Sequence, residues 1–192
     1  MLNLGDIAKY LSDPAVVYAA RYGIGLLFLL AAVSKARNYS IFRATMLDYQ
    51  LIPQALVGTA AAVVLILECL IPVGALSGTL APISMLIATV LLLAYGSAIG
   101  VNLIRGRRDI DCGCTGPAVR QSLSGWLLVR NTVLALIALV AVTEPIERTM
   151  SVLDYVLVVI VVAAATAIYA AANQLMANLP RLDSLDALME TS

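Results

Sequence analysis

Histidine is absent from all 192 residues, which removes the usual general base near neutral pH, the commonest metal ligand and the ordinary haem ligand. Charge is scarce too: charged residues make up 12% of the chain against 61% hydrophobic, about half the charged share of a soluble domain. Twelve basic and twelve acidic residues cancel, so no global field draws the chain toward nucleic acid or acidic partners. The cysteines number three, too few for the four Cys or His ligands of a structural zinc site, and no metal is expected. No cleavable leader is expected either, because the first apolar stretch follows a segment with Asp6, Lys9 and Asp13 and is long enough to span.

What remains is lipid-like. Five apolar stretches, roughly 15–36, 55–77, 80–103, 123–142 and 151–176, reach the ~20 residues that cross a bilayer. The expected fold is an all-α integral membrane protein, a bundle of four core transmembrane helices plus a fifth C-terminal one. Residues 1–14 read as an interfacial lead-in, 15–179 as one transmembrane domain, and 180–192 as a short, frayed acidic tail. The 37–54 link mixes Arg37 and Arg43 with Tyr39 and Tyr49, a composition that lies along the headgroups. Gly74 to Gly78 and Gly96 to Gly100 fit small-xxx-small spacing, read as ordinary bundle packing rather than a dimer face.

Lysine and arginine set the orientation. One side holds Lys35, Arg37, Arg43, Arg105, Arg107, Arg108, Arg120 and Arg181, and the other Lys9 and Arg148. The long 104–122 loop is therefore expected in the cytoplasm and the N-terminus outside, in a prokaryotic inner membrane.

Charges inside spans are expensive and become functional candidates by default. Arg21 and Glu68 lie about 9 and 13 Å from the same end by helix rise, and are expected to pair, with Arg21 also taking the Glu68 carbonyl that Pro72 leaves without a donor. Arg130, followed by Asn131, and Lys35 at the end of the first span are expected to snorkel toward the long loop. Cys69, mid-span, reads first as a small buried hydrophobe and second as a third thiol or a ligand.

The long loop carries Asp111-Cys112-Gly113-Cys114-Thr115-Gly116. Two thiols one residue apart can close a disulfide if the middle residue bends, and Gly113 is free to do so. So small a ring is strained and hence exchangeable, which makes the pair redox-active rather than structural. Nearby cations lower a thiol's pKa, so Lys35, Arg105 and Arg130 are candidates to activate Cys112 or Cys114. Asp109 and Asp111 oppose them, and Asp111 is expected to pair with Arg130 and position the loop.

Arg21, Gly25, Lys35, Phe42, Tyr49, Leu51, Pro53, Glu68, Asn102-Leu-Ile-Arg105-Gly106, Asp111-Cys-Gly-Cys114 and Arg130-Asn131 together resemble the MauE family of methylamine-utilisation proteins, within a wider MauE/DoxX-like group of redox-associated membrane proteins. The resemblance runs from about residue 21 to 131 and departs at Thr115, commonly an aromatic in the family. It implies thiol–disulfide chemistry at Cys112 and Cys114 in the maturation of an exported, disulfide-bearing protein, with a thioredoxin-like partner. Such clients lie outside the cytoplasm, in conflict with the loop orientation that the charges favour.

The function expected is a membrane-embedded thiol–disulfide oxidoreductase in which Asp111, Arg130, Lys35, Asn102 and Arg105 support the cysteine pair. No cofactor beyond the redox-active disulfide is required, though a quinone held in the bundle is one alternative. The other is a non-catalytic assembly factor whose cysteines lock the loop. A membrane partner or a second copy of the chain is compatible with either.

Overall fold

The computed structural model of the protein describes residues 4–107, 110 and 123–190. Seven helices follow in order: α1 (Leu4–Leu11), α2 (Pro14–Arg37), α3 (Tyr39–Tyr49), α4 (Gln54–Leu76), α5 (Ala81–Ile104), α6 (Gly125–Val140) and α7 (Val152–Glu190). No strand occurs among the described residues. Four helices, α2, α4, α5 and the Val152–Met176 part of α7, are long and apolar enough to cross a bilayer, and α6 is a shorter apolar helix. The fold is an all-α membrane bundle.

Local chemistry sets the ends of these helices. Asp13 accepts a hydrogen bond from the N–H of Ala15 at 2.9 Å and Pro14 occupies the first helical position, where its missing N–H costs nothing. At the other end of α5, Gly106 has φ +73°, the left-handed conformation that glycine adopts without strain. The Gly106 N–H then reaches the Leu103 carbonyl and the Arg107 N–H the Asn102 carbonyl, both at 3.0 Å, which closes the helix with a glycine stop. Helix α7 runs on through Pro180 to Glu190, past the point where the sequence suggested a frayed tail.

Close approach of helices comes from small residues. A Cβ on Gly74 would lie 1.7 Å from Ser84 Oγ, so the α4–α5 hairpin depends on hydrogen at that position, and a Cβ on Gly25 would meet Ala75 at 3.1 Å. Gly96 and Gly100 sit beside Leu128 of α6, so these small residues pack the bundle itself. The main core joins Ile24 and Phe28 of α2, Ile71 of α4, Met85 and Leu92 of α5, and Ala135 and Ala138 of α6. A second cluster, Ile99, Leu123 and Leu127 with Tyr49 and Ile110 against it, lies at the end of the bundle where α5 stops and α6 starts.

Helix α7 stands apart from this core. Only 6% of its spanning window is buried, against 44% for α5, and polar contacts latch it at Asp154 and again at Asn173.

Candidate functional site

The polar centre of the bundle is a trio from three helices. Lys35 near the end of α2, Glu68 in α4 and Tyr95 in α5 meet at one carboxylate oxygen: Lys35 Nζ forms a salt bridge with Glu68 Oε1, and Tyr95 Oη donates to the same oxygen at 2.6 Å. Lys35 Nζ also lies 3.3 Å from Tyr95 Oη, 4.8 Å from the Tyr95 ring centroid and 5.0 Å from that of Phe42. Glu68 is fully buried and Lys35 5% exposed. Glu68 Oε2 has no hydrogen-bond partner among the described residues.

This corrects two expectations. Arg21 does not pair with Glu68; its Nε and Nη2 donate to the Ala141 and Thr143 carbonyls, each at 3.0 Å. The reason is the shortness of α6, whose 16 residues end within reach of α2 and leave terminal carbonyls that need donors. Glu68 is thereby left to Lys35, which turns into the bundle instead of snorkelling toward the loop. The aromatic faces of Phe42 and Tyr95 make that inward turn favourable for an ammonium.

Arg130, in the second turn of α6, is 6% exposed. Its Nη1 donates to Asn173 Oδ1 of α7 at 3.1 Å and its guanidinium lies 5.7 Å from the Tyr169 ring centroid. Asn173 and Tyr169 were missed in the sequence, although an asparagine in an apolar span is itself a signal of an interhelical hydrogen bond. Together with Ile24, Leu27, Phe28 and Asn131, the trio and Arg130 line a polar chamber of about 60 Å³.

Of the other sequence candidates, Asn102 is fully buried; its Nδ2 donates to the Ala98 carbonyl at 3.0 Å, and its Oδ1 has no partner among the described residues. Arg105 is exposed at the C-cap of α5. The Asn-x-x-Arg-Gly motif thus serves in part as the helix stop before the loop. Cys69 is exposed on the outer face of α4 with a free thiol, not buried as its position mid-span suggested. Cys112, Cys114 and Asp111, and with them the expected Asp111–Arg130 pair, lie outside the described residues.

The opposite end carries a clasp that spans the sequence. Arg148 donates to both carboxylate oxygens of Asp13, at 3.1 Å, and to both of Asp154, at 3.0 Å, tying the start of α2 to the start of α7. Arg148 beside it holds the Asp13 carboxyl below its usual 3.8, and the hydrogen bonds to Asp154 and then Asp13 raise the Arg148 guanidinium above its ordinary value.

Comparison with known proteins fits this picture. The family model described as methylamine utilisation protein MauE matches residues 13–144. A methylamine utilization protein MauE of Paracoccus denitrificans is 34% identical over 137 residues, covering 71% of this chain and 74% of its own length. Its counterpart from Methylorubrum extorquens is 38% identical over 133 residues, covering 69% and 71%. No solved structure matches the chain. The family match takes in α2 through α6, with the Lys35–Glu68–Tyr95 centre, and leaves α7 outside. By that match and these relatives, the chain is a multi-pass membrane protein belonging to the MauE family of methylamine utilisation proteins.

Proposed function

We propose that the chain is a membrane-embedded thiol–disulfide oxidoreductase whose Cys112–Cys114 pair exchanges with a thioredoxin-like partner during maturation of an exported, disulfide-bearing protein. The observation that supports this reading is where the described residues on either side of the Cys-Gly-Cys segment sit. Ile110, two residues before Cys112 in sequence, and Leu123, nine after Cys114, pack into one apolar cluster with Ile99 and Leu127. With those flanking residues at the mouth of the bundle, we take the thiols to work beside Arg130, which lies five residues after the start of α6. Cations beside a thiol favour the thiolate, the form that attacks a disulfide.

Exchange then proceeds in two balanced steps. A thiolate of the pair attacks the partner's disulfide, forming a mixed disulfide and releasing one partner thiolate. The second thiol of the pair, on losing its proton, displaces the partner's remaining sulfur, which leaves the Cys112–Cys114 disulfide and a reduced partner; run backward, the same steps oxidise the partner.

Orientation belongs to this proposal. With Lys35 buried against Glu68, the count of eight cations on the loop side less this one becomes seven, still against two, so we place the loop at the cytoplasmic face of a prokaryotic inner membrane, where the pair meets the thioredoxin-like partner and acts on the exported client only through it. The decisive experiment is capture of a mixed disulfide by Cys112→Ser or Cys114→Ser in intact cells, followed by identification of the trapped protein. A thioredoxin-like protein held through the remaining cysteine is the expected result. If neither variant traps a partner and the double serine variant matures its client normally, the reading is wrong.

A further inference from the structure

The polar chamber is not closed. Five of its lining residues, Ile24, Leu27, Arg130, Leu134 and Tyr169, also line a second and much larger space, a cleft of about 800 Å³ between α2, α6 and α7. The rest of that cleft is almost wholly apolar, walled by residues such as Gly23, Val133, Ile137, Val161 and Ala165. A hydrocarbon-sized cleft thus ends in a small hydrogen-bonding chamber, an arrangement of an amphipathic ligand site.

We infer that this cleft and chamber bind a membrane-soluble quinone, with its isoprenoid tail in the α2–α6–α7 cleft and its ring at the Arg130–Tyr169 rim, one ring oxygen pointing into the chamber. Three observations select that class. The chamber holds only a few water molecules' worth of space, too little for the phosphate headgroup of a membrane lipid. Its wall combines donors, on Lys35 and Arg130, with an acceptor, Glu68 Oε2, that has no partner among the described residues. A quinone oxygen accepts from the former and the quinol hydroxyl donates to the latter, whereas the carboxylate of a fatty acid would face a second carboxylate. The aromatic ring of Tyr169 at the rim offers a face for a flat ring to stack on.

The role of the ligand rests on the thiol reading above. Oxidation of Cys112 and Cys114 to a disulfide releases two electrons and two protons, and reduction of a quinone to its quinol takes up the same two electrons and two protons. No further reactant is needed. A lipid-soluble acceptor would therefore regenerate the disulfide from within the membrane.

Trp126 lines the cleft and is the only tryptophan of the chain, so ligand binding can be read from its emission. Titration of the full-length protein in nanodiscs with decylubiquinone should quench Trp126 saturably, and the ring-less isoprenoid alcohol farnesol or oleate should not displace the quinone. Ala165→Phe, which fills the cleft from the exposed face of α7, should weaken binding at least tenfold, while Ile83→Phe on the outer face of α5 should not. Arg130→Met should weaken it about tenfold as well, the loss expected for one charge-assisted hydrogen bond. Quenching that stays linear with concentration, or is equal in Ala165→Phe and the wild type, overturns the site, as does equal displacement by farnesol or oleate. The two readings fail separately. If the cysteines exchange with a partner but quenching is linear, only the quinone site falls; if quenching saturates equally in the Cys112→Ser, Cys114→Ser double variant, the site stands whatever the thiols do.

Discussion

Replacing Lys35 by Met tests the bundle's centre most sharply. In the wild type the Glu68 carboxylate holds Lys35 Nζ and Tyr95 Oη on one oxygen; without the ammonium it keeps one neutral donor in a fully buried position. Breaking a buried pair in this way costs about 3–5 kcal/mol, and Lys35→Met belongs at the upper end, because Glu68 sits mid-helix and is fully buried on a short side chain. Glu68→Met belongs at the lower end of that range, about 3 kcal/mol. There the stranded ammonium keeps the faces of Phe42 and Tyr95 and lies two residues from the end of α2, near enough to withdraw toward the surface. The double variant Lys35→Met, Glu68→Met should return to within about 1 kcal/mol of wild type, since swapping a buried ion pair for apolar groups of similar volume is often neutral. The assay is unfolding in mixed micelles titrated with dodecyl sulfate, followed by far-ultraviolet circular dichroism. A double-mutant cycle should give a coupling above about 3 kcal/mol for Lys35 with Glu68, and within about 0.5 kcal/mol of zero for Arg21 with Glu68, which share no partner. A larger coupling for the Arg21 pair, or additivity in the Lys35 pair, would refute the assignment.

Three further outcomes follow from the same geometry. Arg21→Met should cost about 2–4 kcal/mol in the same titration, because two charge-assisted hydrogen bonds to the end of α6 disappear together, and Arg21→Lys, which can fill one of the two acceptors, should recover part of it. Gly74→Ala should destabilise by about 1–3 kcal/mol through overpacking against Ser84, with Ser84→Gly as the second-site change that relieves it. Asp13 has its carboxyl held below 3.8 by Arg148, so the clasp's stabilisation is present above that pH and is lost as the pH falls further through the lowered value; the difference in unfolding midpoint between wild type and Arg148→Met should be constant near neutrality and shrink in acid, and a difference that grows in acid would contradict it.

The spans could be read from the sequence because length and apolarity suffice to mark them; the charged centre could not, because hydropathy gives neither the offset of one helix along another nor its rotation. Arg21 and Glu68 do not share a depth: Lys35, which pairs with Glu68, lies 14 residues further along α2 than Arg21, about 21 Å of helix rise, while Arg21 reaches the end of α6. Cys69 follows the same lesson: one residue after the most buried carboxylate, it is turned about 100° around α4 and faces out. The Asp13-Pro14 start of α2 was legible as local chemistry, whereas the partner of Asp13 lies 135 residues away and is announced by nothing nearby. The Asn102–Gly106 motif could be recognised but not apportioned: its glycine ends a helix, while the buried Asn102 amide leaves one oxygen whose task the stop does not explain.

The separation between Arg21 and its acceptors sets a timetable for the growing chain. Arg21 is synthesised 120 residues before Ala141, and at 5–20 residues per second the ribosome needs about 6–24 s to cover that distance. During that interval α2 carries a guanidinium about seven residues inside its first end with neither of its native acceptors yet made. Lys35 waits for only 33 residues, about 2–7 s, and does so at the tail of its helix. Helix α2 is therefore a poor candidate to enter lipid alone and a good one to stay beside the insertion machinery until α6 emerges, so the bundle's assembly order is written into the chain by which arginine must wait for which carbonyl.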